Sequence, residues 1–187
     1  MNARRVLTAA LVLNLLNTGY LSWRYVALHA GRVEPGTGLC SWSSYIDCDR
    51  VLMTPEARAF WVPNALLGFG FSLGCLVWWF AGLRLGEEYR HHVIRTLAFW
   101  LGVAALLTLW FFRLLLSLPA LCPFCPWHHV LVYVSLAAAC VVWRRTPAPA
   151  VHGPLRPLMT LVAVCVLQFF TWPAAWALAF WRGELTP

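Results

Sequence analysis

Apolar residues in this chain come in long runs broken by short polar stretches. A bilayer-spanning helix needs about 20 mostly apolar residues, and five stretches meet that length: 6–23, 61–83, 93–118, 123–143 and 158–181. The third carries Arg95 and Arg113 near its two ends, and the fifth contains Pro173. A proline is tolerated inside a membrane helix because neighbouring helices satisfy the freed carbonyl. Trp23, Trp61, Trp143 and Trp181 fall near the ends of runs, where an amphipathic ring prefers to sit. Arg4 and Arg5 precede the first run as they would in a signal peptide. That run is long enough to span and no A-x-A site follows it, so it is expected to remain as a helix. The pattern predicts an all-α integral membrane fold in a single domain over 1–187.

Composition narrows the function classes. Hydrophobic residues make up 61% and charged residues 11% of 187, against about 25% charged in a soluble domain. So few charges cannot cover a water-facing surface, which excludes a soluble enzyme and a disordered tail. The net charge of +7 comes from 14 basic residues, all Arg and scattered, so nucleic acid is not an expected partner. In a membrane protein such charges set topology instead. The N-terminus, the stretch 84–95 and the stretch 144–156 hold eight Arg and the acids Glu87 and Glu88; the opposite side holds six Arg and five acids. This bias predicts a cytoplasmic N-terminus and an outward C-terminus, with the loop 26–60 and the turn before Cys122 outside. The loop starts rich in Gly and Pro, with room for a short amphipathic helix. The stretch 144–156, with Pro147, Pro149 and Pro154, reads as a linker.

Seven cysteines need an explanation of their own. Cys75, Cys140 and Cys165 lie within runs and read as small buried hydrophobes. Cys40 and Cys48 lie eight apart in the loop, and Cys122-Pro123-Phe124-Cys125 opens the fourth run. All four fall on the side expected to be oxidising. A stapling disulfide accounts for Cys40 and Cys48. It accounts poorly for the CxxC, because so small a ring constrains the unfolded chain little, and this spacing is that of dithiols that open and close. At a helix start, with Pro123 in the first turn, unpaired N–H groups and the helix dipole favour a thiolate, the species that attacks a disulfide. Two dithiols in series form a relay, one end able to meet a soluble protein and the other at the depth of a lipid-soluble carrier. Cys122, Cys125, His128 and His129 could also ligate zinc, but all come from one short segment, whereas structural zinc sites join two. No metal is expected.

Polar residues inside the apolar frame are further candidates. Asn64 begins the second run, and a buried amide in a membrane needs partners; helix-to-helix bonding is the alternative role. His129 follows Cys125 by four residues, on the same helical face. Arg113 reads as a snorkelling cation, and Thr54 as a helix cap before Pro55.

With these residues in view, the chain resembles the vitamin K epoxide reductase family. The segment Gly38-Leu39-Cys40-Ser41-Trp42-Ser43-Ser44-Tyr45-Ile46-Asp47-Cys48-Asp49-Arg50-Val51 is similar to the family's loop. Thr54 falls where the family has a Ser or Thr hydroxyl, Asn64-Ala65-Leu66-Leu67-Gly68 resembles its second-span start, and Cys122 to Cys125 its redox CxxC. The likeness covers roughly the first 145 residues. The otherwise similar DsbB family has its cysteine pairs in the reverse order. The resemblance implies a four-helix transmembrane bundle around a quinone (ubiquinone or menaquinone), the loop lying over it, with a fifth helix as in bacterial members. It implies that Cys122 exchanges with Cys48, that Cys40 meets a thioredoxin-like or DsbA-like partner, and that Cys125 faces the quinone. It further implies that Asn64 bonds a quinone oxygen, and that His129 stands where some members carry a Tyr. Many bacterial members carry a fused thioredoxin-like domain; this chain stops at Pro187, so a separate partner protein is expected. The absence of Lys and the fifth run favour a bacterial inner membrane. The expected function is a thiol oxidoreductase that passes electrons from the partner through both cysteine pairs to the quinone, supporting disulfide formation. The alternatives are a vitamin K epoxide or quinone reductase, and a non-enzymatic membrane assembly or metal-handling protein.

Overall fold

The apolar runs become helices because a backbone in lipid must satisfy its own hydrogen bonds. The computed structural model describes residues 2–59, 62–84, 87–118 and 120–147; the fifth run, 158–181, and Cys165 within it lie outside the described residues. Four long helices account for most of the chain: α1 (Ala3–His29), α3 (Asn64–Arg84), α4 (Glu87–Leu116) and α5 (Phe124–Arg145). Each is long and apolar enough to cross a membrane. They pack in a ring, α1 between α3 and α5, and α4 closing the ring against both. Between α1 and α3 lie the short helix α2 (Cys48–Leu52), a single 3-10 turn (Pro55–Ala57) and a two-stranded antiparallel ribbon of β1 (Arg58–Ala59) and β2 (Val62–Pro63).

The first helix runs six residues past Trp23, where the apolar run stops. Arg24 in that extension is 4% exposed, because the loop supplies it with a carboxylate, and a paired charge can be buried where a lone one cannot. The helix then ends at a glycine. Gly31 has φ +64°, its N–H donates to Leu28 O at 3.1 Å and that of Arg32 to Ala27 O at 2.9 Å. This double closure needs a left-handed residue, which glycine adopts at no steric cost.

The core has two parts. Away from the loop, Leu7, Leu11, Trp79, Ile94 and Leu101 pack together, and Cys75 lies buried among them; the Trp79 indole donates to Thr8 Oγ1 at 2.8 Å. At the loop end, Leu21, Tyr25, Val51 and Leu115 form a second cluster that includes Cys40, Cys48 and Cys122. The short helix of the loop therefore turns its buried residues onto α1 and the cysteines, and belongs to the core.

Candidate functional site

Three of the four candidate cysteines meet in the loop-end core. The segment 40–48 closes on itself: Trp42 N–H donates to Ile46 O at 2.8 Å, and Ser41 Oγ donates to Asp47 Oδ1 at 2.5 Å. Asp47 also caps α2, its carboxylate accepting from the N–H of Asp49. Cys40 and Cys48 are joined by a disulfide. A parallel bridge then stitches this segment to the chain before α5, with Leu121 N–H donating to Tyr45 O at 2.7 Å and Asp47 N–H to Leu121 O at 3.0 Å. The result is a sulfur-to-sulfur contact across 74 residues of sequence: Cys122 Sγ lies 2.8 Å from Cys48 Sγ. Cys40, Cys48 and Cys122 are all 0% exposed. Their sulfurs lie within 4.8 Å of one another, the one such group of metal-capable atoms among the described residues. With two of the three already bonded to each other, the arrangement is that of a thiol facing a disulfide.

Cys122 stands just before α5, and Cys125 is the second residue of that helix, its N–H donating to Cys122 O at 3.1 Å. Asn17 of α1 holds the intervening residue by donating from Nδ2 to Phe124 O at 3.0 Å.

A buried ion pair fixes the other side of the contact. Arg24 donates to Asp49 through Nε to Oδ1 at 2.8 Å and through Nη2 to Oδ2 at 2.7 Å, the side chains being 4% and 0% exposed. Asp49 Oδ2 also accepts from the N–H of Gly36 at 2.9 Å and of Gly38 at 3.1 Å. Burial pushes the Asp49 carboxyl up, but the hydrogen bonds and charge of Arg24, with the two glycine N–H groups, outweigh it, so its pKa is lowered. Asp49 follows Cys48 directly, so α1 positions the central sulfur through this pair. Gly38 is required here, since a Cβ on it would lie 2.8 Å from Asp49 Oδ1.

Beneath the sulfurs, among the helices, lies a cavity of about 550 Å³. Cys125, Asn64, His128 and His129 line it, and the remaining wall is largely aliphatic and aromatic. Asn64 Nδ2 donates to Glu56 O at 2.8 Å, while its Oδ1 is buried without a partner, as is His129 Nδ1. His129 also packs edge-on against Phe112 of α4. Thr54 lies between the lining residues Leu52 and Glu56. It precedes the 3-10 turn without capping it, and its hydroxyl donates to Val51 O at 2.9 Å; it is not among the cavity-lining residues.

Sequence reasoning took Arg24 as a topology charge and passed over Asn14 and Asp49. A usable signal existed: Asn14, Asn17 and Thr18 recur at three- and four-residue spacing on one face of a membrane helix, where polar groups require partners. All three are buried.

Comparison with known proteins agrees with this architecture. A model of the vitamin K epoxide reductase family matches residues 5–143, a stretch that includes both cysteine pairs. The chain belongs to that family, whose members are oxidoreductases. No curated protein and no solved structure matches it. Membership and the cysteine cluster together point to a membrane redox enzyme.

Proposed function

We propose that this family member is a quinone-dependent thiol oxidoreductase. It oxidises the dithiol of a thioredoxin-like or DsbA-like protein, through Cys40–Cys48 and then Cys122–Cys125. The observation that carries the reading is the 2.8 Å approach of Cys122 to Cys48, with Cys125 on the cavity below. The Arg bias supports an outward cysteine end, and the absence of Lys and the fifth run support a bacterial inner membrane.

Partner thiols reduce Cys40–Cys48 and leave as a disulfide. The Cys48 thiolate attacks Cys122, forming a Cys48–Cys122 bond as the Cys122–Cys125 bond breaks and Cys125 departs as thiolate. Cys40 then attacks Cys48, reforming Cys40–Cys48 and releasing Cys122. The electrons now reside on the Cys122 and Cys125 thiols, beside the cavity. Cys40 is buried in the docked loop, so partner access requires the segment to lift. The exposed Leu39, Trp42 and Tyr45 beside the disulfide support apolar docking there.

The cavity suits a quinone headgroup. It is mostly apolar with a few convergent polar groups, two of them carrying buried unpartnered atoms, Asn64 Oδ1 and His129 Nδ1. A bound quinone supplies an acceptor for two electrons and two protons. Asn64, through the Nδ2 hydrogen not given to Glu56 O, and His129 would donate to its oxygens, a donor aimed at developing charge being the general device for such chemistry, and the free Asn64 Oδ1 would accept from a hydroxyl of the reduced ring. Thr54 would act indirectly, by holding the end of α2 through Val51 rather than by touching the ring.

The test uses purified protein and a reduced thioredoxin-like protein. Multiple-turnover oxidation should require added quinone. In Cys125→Ser the lone Cys122 thiol should attack Cys48 of the resting Cys40–Cys48 disulfide and accumulate a Cys48–Cys122 disulfide with Cys40 released as a thiol, while Cys122→Ser forms none. Quinone-independent oxidation, or normal turnover in either variant, overturns the reading.

A further inference from the structure

A second histidine lies on the same cavity. His128 follows Cys125 by three residues, on the same face of α5, and both line the cavity. Its Nδ1 is 2.7 Å from Oδ1 of Asn14. Asn14 sits on α1 and is 1% exposed. An amide oxygen only accepts, so the histidine proton is on Nδ1, and the lone pair is on Nε2. That nitrogen points toward α3, where a Cβ on Gly68 would lie 3.8 Å away; Gly68 lines the cavity too. Asn14 is itself anchored, its backbone carbonyl accepting from Thr18 Oγ1 at 2.8 Å. Among the described residues the titratable groups on this cavity are Glu56, Cys125, His128 and His129.

We propose that His128 is the proton acceptor for Cys125, and that Asn14 is the residue that positions it by fixing its tautomer. This rests on the quinone-linked reading above. When the Cys122 and Cys125 thiols close to a disulfide, two electrons and two protons leave them. Nε2 of His128 takes the Cys125 Sγ proton as the thiol becomes thiolate and holds it; a bound quinone, the acceptor of both electrons, would take up that proton and the one released by Cys122, two in all. The imidazole ends neutral, ready for the next turnover. A histidine with its second nitrogen tied to an oriented partner is the usual form of such a base.

The test separates this step from the parent reading by measuring the thiol without quinone. In quinone-free, dithiol-reduced protein at pH 7, alkylation of Cys125 and Cys122 by a small iodoacetamide is followed by mass spectrometry. His128→Asn keeps a side-chain amide at the Nδ1 position facing Asn14 and removes only the cavity-side nitrogen. It should slow Cys125 alkylation at least about tenfold, a floor set below the roughly 10²–10⁴ typical of general-base effects, with the Cys122 rate and melting temperature unchanged. Equal Cys125 rates in the two proteins overturn the proposal. Nitrogen-15 NMR of the wild-type protein gives an independent check: His128 should show a protonated Nδ1, and Asn14→Leu should mix the tautomers. An Nε2-protonated ring in the wild type overturns it as well. Failure of the parent reading shows differently, as wild-type protein that does not oxidise its partner when quinone is present.

Discussion

Replacing Asp49 by Asn tests how the central sulfur is held. The change is nearly isosteric, but it turns one carboxylate oxygen into an N–H₂ group facing donors. Arg24 points Nε and Nη2 at that carboxylate, and Gly36 and Gly38 point N–H groups at it, so an amide places donor against donor and leaves a guanidinium buried without its counter-charge. Breaking a buried pair from one side costs about 3–5 kcal/mol. Arg24 lies in the last turns of α1, where water reaches it once the loop lifts, so the cost falls on docking of segment 34–49 rather than on the helix bundle. At about 1.4 kcal/mol per decade this lowers the docked population roughly 100-fold to several-thousand-fold. The assay is the rate of Cys48–Cys122 adduct formation in a Cys125→Ser background, read on non-reducing gels, because that bond forms only while the loop is docked. A rate within about threefold of the parent, the size of a single ordinary hydrogen bond, would refute the reasoning. Arg24→Lys should give an intermediate loss, since an ammonium cannot reproduce the two-pronged contact. The pH dependence has a definite sign. Asp49 is held below the usual carboxylate range, so its contribution is complete above the unfolded carboxylate pKa and is lost only as pH falls through the folded value. Adduct formation should therefore keep its loop-docking advantage at mildly acidic pH and lose it below about pH 4.

Other expectations follow from the same geometry. Gly38→Ala places a methyl 2.8 Å from Asp49 Oδ1 and should reproduce part of the Asp49→Asn defect in the same gel assay, whereas full retention would show that the loop yields freely. Asn64→Ala should slow quinone-supported turnover by less than the roughly 10²–10³ lost with a sole charge-stabilising donor, and stopped-flow measurement should find partner exchange unchanged. Cys75→Ala and Cys140→Ala should leave activity largely intact, since neither belongs to the sulfur cluster; a large loss in a turnover assay would assign them a redox role. A reporter fused after Pro147 should be active in the cytoplasm, and periplasmic activity would reverse the orientation drawn from the Arg bias.

What the sequence determined by itself was short-range. Four apolar runs gave four helices because lipid leaves the backbone no other partner, and the spacing of Cys122 and Cys125 at a helix start needs no tertiary information. The family likeness supplied an expected role for each of the four paired cysteines. The contacts themselves are long-range and were invisible to spacing. Cys48 meets Cys122 because two hydrogen bonds tie residues 45 and 47 to Leu121. Arg24, read from sequence as a charge that sets topology, is instead buried against Asp49, and that pair lets α1 continue to His29. Asn14 and His128 are 114 residues apart, and no local pattern couples them; only the packing of α1 on α5 does. Thr54, a site candidate from its position, turned its hydroxyl to a local carbonyl, a choice decided by the conformation of the turn. Buried polar groups must find partners, but which partner each finds is settled only when the helices assemble.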